Sequence, residues 1–239
     1  MKTAVLSDVH ANLEALDAVL DEADCDAVIV LGDIIGYNAD PQAVIDRLTG
    51  MQARCIAGNH DLALTGRFNV DWFNDVAADA IRWTAGQVDD SAFETLGRLE
   101  PVERTGSQVL VHGSVRDPAA EYLRNAAAAA VSFSAADFSV AFFGHTHIPA
   151  AYAREDERVR ELFLSPEGET LELRADVRYL LNPGSVGQPR DGDPRASYLI
   201  LDGDRVQWRR VPYDVAETQR KIRATDLPPV LADRLSVGR

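Results

Sequence analysis

This chain predicts an α/β fold. Three observations carry that expectation: short apolar runs recur along all 239 residues, amphipathic helical patterns separate the early ones, and from Ala150 onward the pattern turns to closely spaced β segments. The runs are "TAVLSD", "AVIVLGD", "RCIAGNHD", "VLVHGS", "VAFFGHTH", "YLLNPGS", "SYLILD" and "VQWRRV". Several are continuous rather than alternating, as expected of strands covered on both faces.

In chain order, "TAVLSD" leads to Asn12, which can cap a helix whose Leu13, Leu16, Val19 and Leu20 form one apolar stripe. We read Asn12 as that cap rather than as a substrate contact. Pro41 then opens a second helix with Val44, Ile45 and Leu48 on one face. The first half therefore reads as β-α-β-α-β with short crossovers. Between Trp72 and Leu99, the residues Trp72, Val76, Ala80 and Trp83 share a helical face, expected to pack on the sheet rather than to form a substrate lid. "YLRNAAAAAVSFSAADF" is a second helical insert, because Ala is the strongest helix former. Further on, "SPEGET" predicts a hairpin turn between "ELFL" and "LELR". The tail "LPPVLADRLSVGR" reads as a frayed end. With no internal repeat and no linker, residues 1–239 are expected to form a single domain with helical inserts near 70–100 and 117–138.

Composition narrows the function. The formal charge is −14, and only Lys2 and Lys221 are lysines. That balance repels polyanions and argues against duplex nucleic acid as a partner, which calls for a basic face. A small phosphate ester is compatible with it, because a local arginine or bound metal can reverse the field where it matters. No run approaches the roughly 18 apolar residues of a membrane helix, and "MKTAVLSDVH" lacks signal-peptide design, so a cytoplasmic protein without membrane partners is expected. Cys25 and Cys55 lie in no metal-type or redox-type spacing and are expected to be reduced thiols.

The five histidines are the strongest signal. His10, His60 and His112 each follow an apolar strand-like run, and His145 and His147 follow a fourth in "VAFFGHTH". Asp8, Asp33 and Asn59 hold equivalent positions. In a parallel-type sheet the carboxyl ends of the strands share one edge, where such folds place their chemistry. Asp8 and His10 are two apart, so on an extended backbone both would point to one side and grip one ion. His145 and His147 can do likewise from a strand end or turn, and they need not share an ion. Imidazole mixed with carboxylate suits Mn, Fe, Zn, Co or Ni better than Ca or Mg. Seven candidate ligands, Asp8, His10, Asp33, Asn59, His112, His145 and His147, overprovide for one ion and make a pair plausible.

The ordered blocks "DVH", "GDIIG", "GNHD", "HG" and "GHTH", with "NPGSVGQPR" closing the series, are similar to those of the calcineurin-like metallophosphoesterases. The resemblance runs from Asp8 to Arg190 and is nearest to the compact bacterial and archaeal phosphodiesterase branch. It implies a four-layer α-β-β-α sandwich of two mixed β-sheets flanked by helices, where periodicity alone also allows a single open sheet. It further implies that Asp8, His10 and His147 bind one divalent metal, with manganese foremost, that Asn59, His112 and His145 bind the other, and that Asp33 bridges them. His60 would be the catalytic general acid, with Asp61 behind it as an orienting group. The "GDIIG" block lacks the arginine of the protein phosphatase branch, which argues against a phosphoprotein substrate.

On this resemblance the expected activity is metal-dependent phosphoester hydrolysis of a small substrate, a diester foremost, by a metal-bridging hydroxide with His60 protonating the leaving group. The same ligand set serves a phosphomonoesterase or a dinucleoside-polyphosphate pyrophosphatase. A non-catalytic scaffold is the alternative of another class, as in the eukaryotic retromer subunit, but there the position matching His60 is not histidine. Arg116 and Arg190 are candidate phosphate clamps that also read as solvated surface arginines. No G-x-S-x-G elbow supports a serine hydrolase.

Overall fold

The computed structural model describes residues 1–165 and 168–239. Strands β1 (Lys2–Leu6), β2 (Ala27–Val30) and β3 (Arg54–Cys55) lie parallel, joined by helices α1 (Leu13–Glu22) and α2 (Pro41–Gly50). Both helix starts sit where capping chemistry puts them: Asn12 accepts the Ala15 N–H at 3.1 Å, and Pro41 occupies the first turn of α2. Helices α3 (Asn59–Leu64), α4 (Asp75–Ala85) and α5 (Asp90–Gly97) follow. Next come β4 (Val102–Thr105), β5 (Gln108–Val111), α6 (Ala126–Ala135) and β6 (Val140–Phe142). The rest of the chain contributes β7 (Ala150–Glu155), β8 (Arg158–Glu161), β9 (Thr170–Glu172), β10 (Arg178–Asn182), β11 (Ala196–Asp202), β12 (Arg205–Val211), α7 (Val215–Arg223) and α8 (Val230–Asp233).

Two mixed six-stranded sheets result, ordered β3-β2-β1-β11-β12-β9 and β4-β5-β6-β10-β7-β8. They pack face to face with helices outside, so the two-sheet sandwich is the architecture and the single open sheet is not. Strand alternation explains the continuous apolar runs. Ala4 and Leu6 of β1 face α1 and α2 with Leu16, Val19 and Val44, whereas Val5 points between the sheets to meet Leu110, Phe142, Leu181 and Trp208. On the far side, Val109, Val111, Ala141 and Phe143 pack against Ala129 and Phe133 of α6. Each fully buried Val, Leu, Ile or Phe contributes about 1.5–3 kcal/mol relative to exposure.

Four expectations need correction. "ELFL" and "LELR" do not pair: β8 bonds to β7 in one sheet and β9 to β12 in the other. Leu162, Leu164, Leu171 and Leu173 pack between the sheets, so this segment crosses from one sheet to the other. Within its "SPEGET" link, Pro166 and Glu167 lie outside the described residues. The segment from Trp72 to Leu99 is not one helix but α4 and α5, separated near Gly86, with Trp72 in a preceding 3-10 turn and 76% exposed. Helix α4 packs on the C-terminal segment rather than on the sheet: Ala77 and Ala80 meet Ile222, Leu227, Leu231 and Leu235. The insert near 117–138 is only half helical, with α6 starting at the cap Asn125.

The tail is the fourth correction. It forms α8 and a 3-10 turn over Arg234–Val237, and Leu231, Ala232 and Leu235 are buried beside Tyr37. Apolar residues one and four apart make a helix face, and that face has a partner in α4 and α7. Leu231→Ala and Leu235→Ala should each lower unfolding stability by about 2–5 kcal/mol in urea titrations. A cost near zero would return the tail to a frayed end.

Candidate metal centre

The seven candidate ligands converge from both sheets. Asp8 and His10 follow β1, Asp33 follows β2, and Asn59 begins α3 after β3. His112 follows β5, while His145 and His147 follow β6, the neighbouring strand of the second sheet. The carboxyl ends of five parallel-type strands thus meet at one rim, and all seven side chains are buried there.

Two groups form around a shared carboxylate. Asp8, His10, Asp33 and His147 each present a ligand atom within 4.8 Å of the others, as do Asp33, His112 and His145. Asp33 Oδ2 stands 3.5 Å from His10 Nε2 and 3.3 Å from His112 Nε2. Asp8 Oδ1 lies 3.2 Å from His147 Nε2 and has no hydrogen-bond donor among the described residues. The Asn59 Oδ1 atom is 3.0 Å from His112 Nε2, so its carboxamide turns to the second group, while Gly58 takes the capping position of α3.

The local backbone differs from the extended pairing that the spacing suggested. Asp8, His10, Asp33, His145 and His147 all have positive φ, between 48° and 64°. Non-glycine residues in this region cost about 1–3 kcal/mol each and persist where the surroundings over-determine them. Here the surroundings are backbone bonds between loops. His10 N–H donates to Asp33 O at 2.9 Å, and Gly187 N–H and the Ser185 hydroxyl donate to Asp8 O at 2.9 and 2.8 Å. The "NPGSVGQPR" turn is therefore the brace of the Asp8 loop. Asn38 adds a bond from Nδ2 to His10 O at 2.7 Å.

The donor set fits divalent cations. His10 Nδ1–H donates to Ile35 O at 3.0 Å, and His147 Nδ1–H donates to Gln188 O at 2.6 Å. Those bonds fix the tautomers and aim two lone pairs at each other, with the Nε2 atoms 3.2 Å apart. Only an electron-pair acceptor reconciles that contact. His112 donates from Nδ1 to Leu31 O at 2.8 Å, and His145 from Nε2 to Ala120 O at 3.1 Å, leaving the opposite nitrogens 3.2 Å apart. Tyr122 stacks on the His145 ring at 3.8 Å between centroids, so the insert after His112 positions this ligand.

Electrostatics agree. Burial pulls His10 and His147 well below the usual imidazole range, and pulls His145 down to about 3. These rings are neutral, the form that ligates metals. Burial also opposes ionising Asp33, but the charge and hydrogen bond of His112 hold its carboxyl well below the usual range. His112 is raised to about 9: burial lowers it, and the charge and hydrogen bond of Asp33 outweigh that. Its extra proton supplies positive charge that a bound cation would replace.

His60 and Asp61 flank these groups in different ways. The His60 ring borders the cleft in T-shaped contact with Phe73 at 5.0 Å and tilted against Tyr37 at 4.6 Å. Its Nδ1 has no partner among the described residues, and a Cβ on Gly36, where φ is +93°, would come within 2.5 Å of it. Burial lowers His60 to about 4, so the ring is neutral without an anion beside it. Among the described residues no hydrogen bond joins Asp61 to His60 Nδ1. Its carboxylate accepts the N–H groups of Gly58 at 2.9 Å, Ile34 at 3.0 Å and Ile35 at 3.2 Å, clamping the Asp33 loop to the Asn59 turn.

These groups floor a cleft of about 630 Å³. Its walls include Phe68, Trp72 and Phe73 on one side, Tyr122 on another, and Arg190 and Arg234 on a third. Arg190 thus reaches the cleft, whereas Arg116 is half exposed and spent on Glu121. Sequence reasoning passed over Tyr37, Tyr122 and Arg234. The apolar spacing of Leu231, Ala232 and Leu235 was the available signal for the last.

Residues 1–205 match the calcineurin-like phosphoesterase superfamily domain. The chain belongs to the calcineurin-like phosphoesterase superfamily. It is 36% identical to an uncharacterised protein of Methanocaldococcus jannaschii over 99% of this chain and 98% of that one. The crystal structure of a metallophosphoesterase from Sphaerobacter thermophilus shares 41% identity and superposes with a TM-score of 0.90, covering 100% and 99% of the two chains. A hypothetical protein from Pyrococcus horikoshii has the same fold at 18% identity, with a TM-score of 0.79 and coverage of 100% and 98%. In this phosphoesterase-family chain, the match stops before α8 and the turn after it, which bring Val230 and Arg234 to the cleft beside Arg190.

Metal removal should expose the linkage between this site and the fold. A site held at 100 times its Kd adds about 2.7 kcal/mol, and about 1 kcal/mol moves the melting temperature by about 2–4 °C in a chain of this size. Chelation of manganese-loaded protein should therefore lower the melting temperature by about 5–10 °C in calorimetry. An unchanged melting temperature would contradict metal binding by these residues.

Proposed function

We propose that this chain is a dinuclear-metal-dependent phosphoester hydrolase acting on small phosphodiesters in the cytoplasm, on a single domain. Asp8, His10 and His147 hold one divalent cation, Asn59, His112 and His145 hold the other, and Asp33 serves both. The observation that carries this reading is the sharing of Asp33, whose Oδ2 is nearly equidistant from His10 Nε2 and His112 Nε2. Manganese is the favoured metal, with iron, zinc, cobalt and nickel suited to the same imidazole and carboxylate donors. When bound, such a pair supplies Lewis acidity towards phosphate oxygens and brings the pKa of water towards neutrality.

The chain's own residues supply the rest. His60 borders the cleft with Nδ1 unpartnered; the anionic phosphate of a bound substrate beside it would raise its pKa, and the protonated ring would then deliver its proton to the departing ester oxygen. Gly36, Tyr37 and Phe73 hold its ring, while Asp61 keeps the Asp33 and Asn59 loops in register. Phe73 continues through Phe68 to Trp72 as a series of edge-to-face rings, with centroids 5.8 and 5.5 Å apart. This apolar wall beside His60 favours an organic leaving group, and a cleft of about 630 Å³ leaves space for a second ester arm, which supports a diester over a monoester. Cys25 and Cys55 are free thiols, in keeping with a reducing compartment.

Manganese-loaded protein should hydrolyse bis(p-nitrophenyl) phosphate faster than p-nitrophenyl phosphate, and chelator should abolish both rates. Preference for the monoester would overturn the substrate class. His60→Ala should lower kcat by about 100-fold or more on an alkyl diester and less on the p-nitrophenyl ester, whose leaving group needs little protonation. An equal loss on both, or none, would remove His60 from proton delivery.

A further inference from the structure

Arg190 and Arg234 both line the third wall of the cleft, together with Arg239. Neither has an Asp or Glu within ion-pair distance among the described residues, in a chain whose net charge is −14. Their sequence neighbours explain why. Asp191 pairs with Arg210, Asp193 with Arg195 and Asp233 with Arg223, so each adjacent carboxylate is drawn away to another arginine.

Both guanidinium groups are held in place. Arg190 donates from Nε and Nη2 to Gln188 Oε1 at 3.3 and 2.8 Å, and Gln188 is itself buried. The same Gln188 accepts His147 Nδ1–H through its backbone carbonyl, and Arg190 N–H donates to His147 O at 3.2 Å. Arg190 is thus tied to a candidate metal ligand. Its Cζ lies 5.6 Å from the centre of the Tyr37 ring. Arg234 is anchored by the buried Leu231, Ala232 and Leu235, and its Nε donates to the main-chain oxygen of Arg239. Its two Nη groups have no hydrogen-bond partner among the described residues, and the residue is part of the cleft lining. Burial first, then the charge of Arg190, lowers the Arg234 pKa. Like charges brought together in a partly desolvated cleft call for an anion, and planar guanidinium forks match phosphate oxygens.

We propose that Arg190 and Arg234 form a second anion subsite, and that the natural substrate carries a further phosphate group besides the phosphoester that is hydrolysed. Two guanidinium charges match a phosphomonoester dianion better than a single carboxylate. The substrate class rests on the phosphoesterase reading given above; the subsite itself does not.

The test compares thymidine 5′-(p-nitrophenyl phosphate) with the same ester bearing a 3′-phosphate, on manganese-loaded protein at low salt. The ratio of kcat/KM, phosphorylated over plain, should be about tenfold or more in favour of the extra phosphate, as expected for new charge-assisted bonds. Arg234→Gln and Arg190→Gln should each collapse that ratio towards about one, and Arg234→Lys should retain part of it. A wild-type ratio near one, or variants that leave the ratio as it was, would overturn the subsite. The same ratio taken from Kd values for thymidine 3′,5′-bisphosphate and thymidine 5′-phosphate requires no turnover. Selective binding without hydrolysis of either ester would keep the subsite and overturn the hydrolase reading, whereas hydrolysis of both esters without selectivity would do the reverse.

Discussion

The placement of the Asp33 carboxylate is the constraint on which the centre depends. Its Oδ2 lies between two groups of imidazoles, and its Oδ1 accepts the His60 N–H at 2.9 Å. The approach is close enough that a Cβ on Gly58 would fall 2.2 Å from Oδ1 and 2.3 Å from the Asp33 nitrogen. Glycine at 58 is therefore a packing requirement of the carboxylate. Asp61 then spans the same two loops through the N–H groups of Gly58, Ile34 and Ile35. One block, "GNHD", supplies the gap, the candidate ligand Asn59, the proposed proton donor and the clamp.

The second constraint is the cost of pointing buried ligands inwards from strand ends. Five of them sit with positive φ, and interloop bonds hold them there. Burying carboxylates and imidazoles together is unfavourable unless the charges are matched. Without a cation, the match comes from a proton on His112, raised to about 9 against the pull of burial. A scaffold would carry this strain and desolvation to no purpose, so the energetics favour a chain that uses the site.

What the sequence made legible was whatever depends on local pattern. Continuous apolar runs marked strands buried on both faces, Asn12 and Pro41 marked helix starts, and the positions after strand runs marked the rim where all five histidines gather. What it hid depends on partners distant in the chain. The "SPEGET" hairpin failed because Leu171 and Leu173 find their packing between the sheets and β9 finds its partner in β12. The tail looked frayed because Leu231 and Leu235 need α4 and Tyr37, over 150 residues earlier, to become a core. Asp61 was expected to steady His60, and only tertiary geometry shows that its acceptors go to backbone N–H groups. The Asp8 and His10 pairing was legible while its extended-backbone rationale was not, because left-handed φ at aspartate and histidine leaves no mark on sequence periodicity.

The central claim is that one carboxylate joins two metal positions. The most direct measurement is electron paramagnetic resonance of the manganese-reconstituted protein, alongside its metal content. A bridged pair predicts about two ions per chain and an exchange-coupled spectrum, with Asp33→Asn losing the coupling. About one ion per chain, or two ions giving the uncoupled six-line pattern of isolated manganese, would contradict the account.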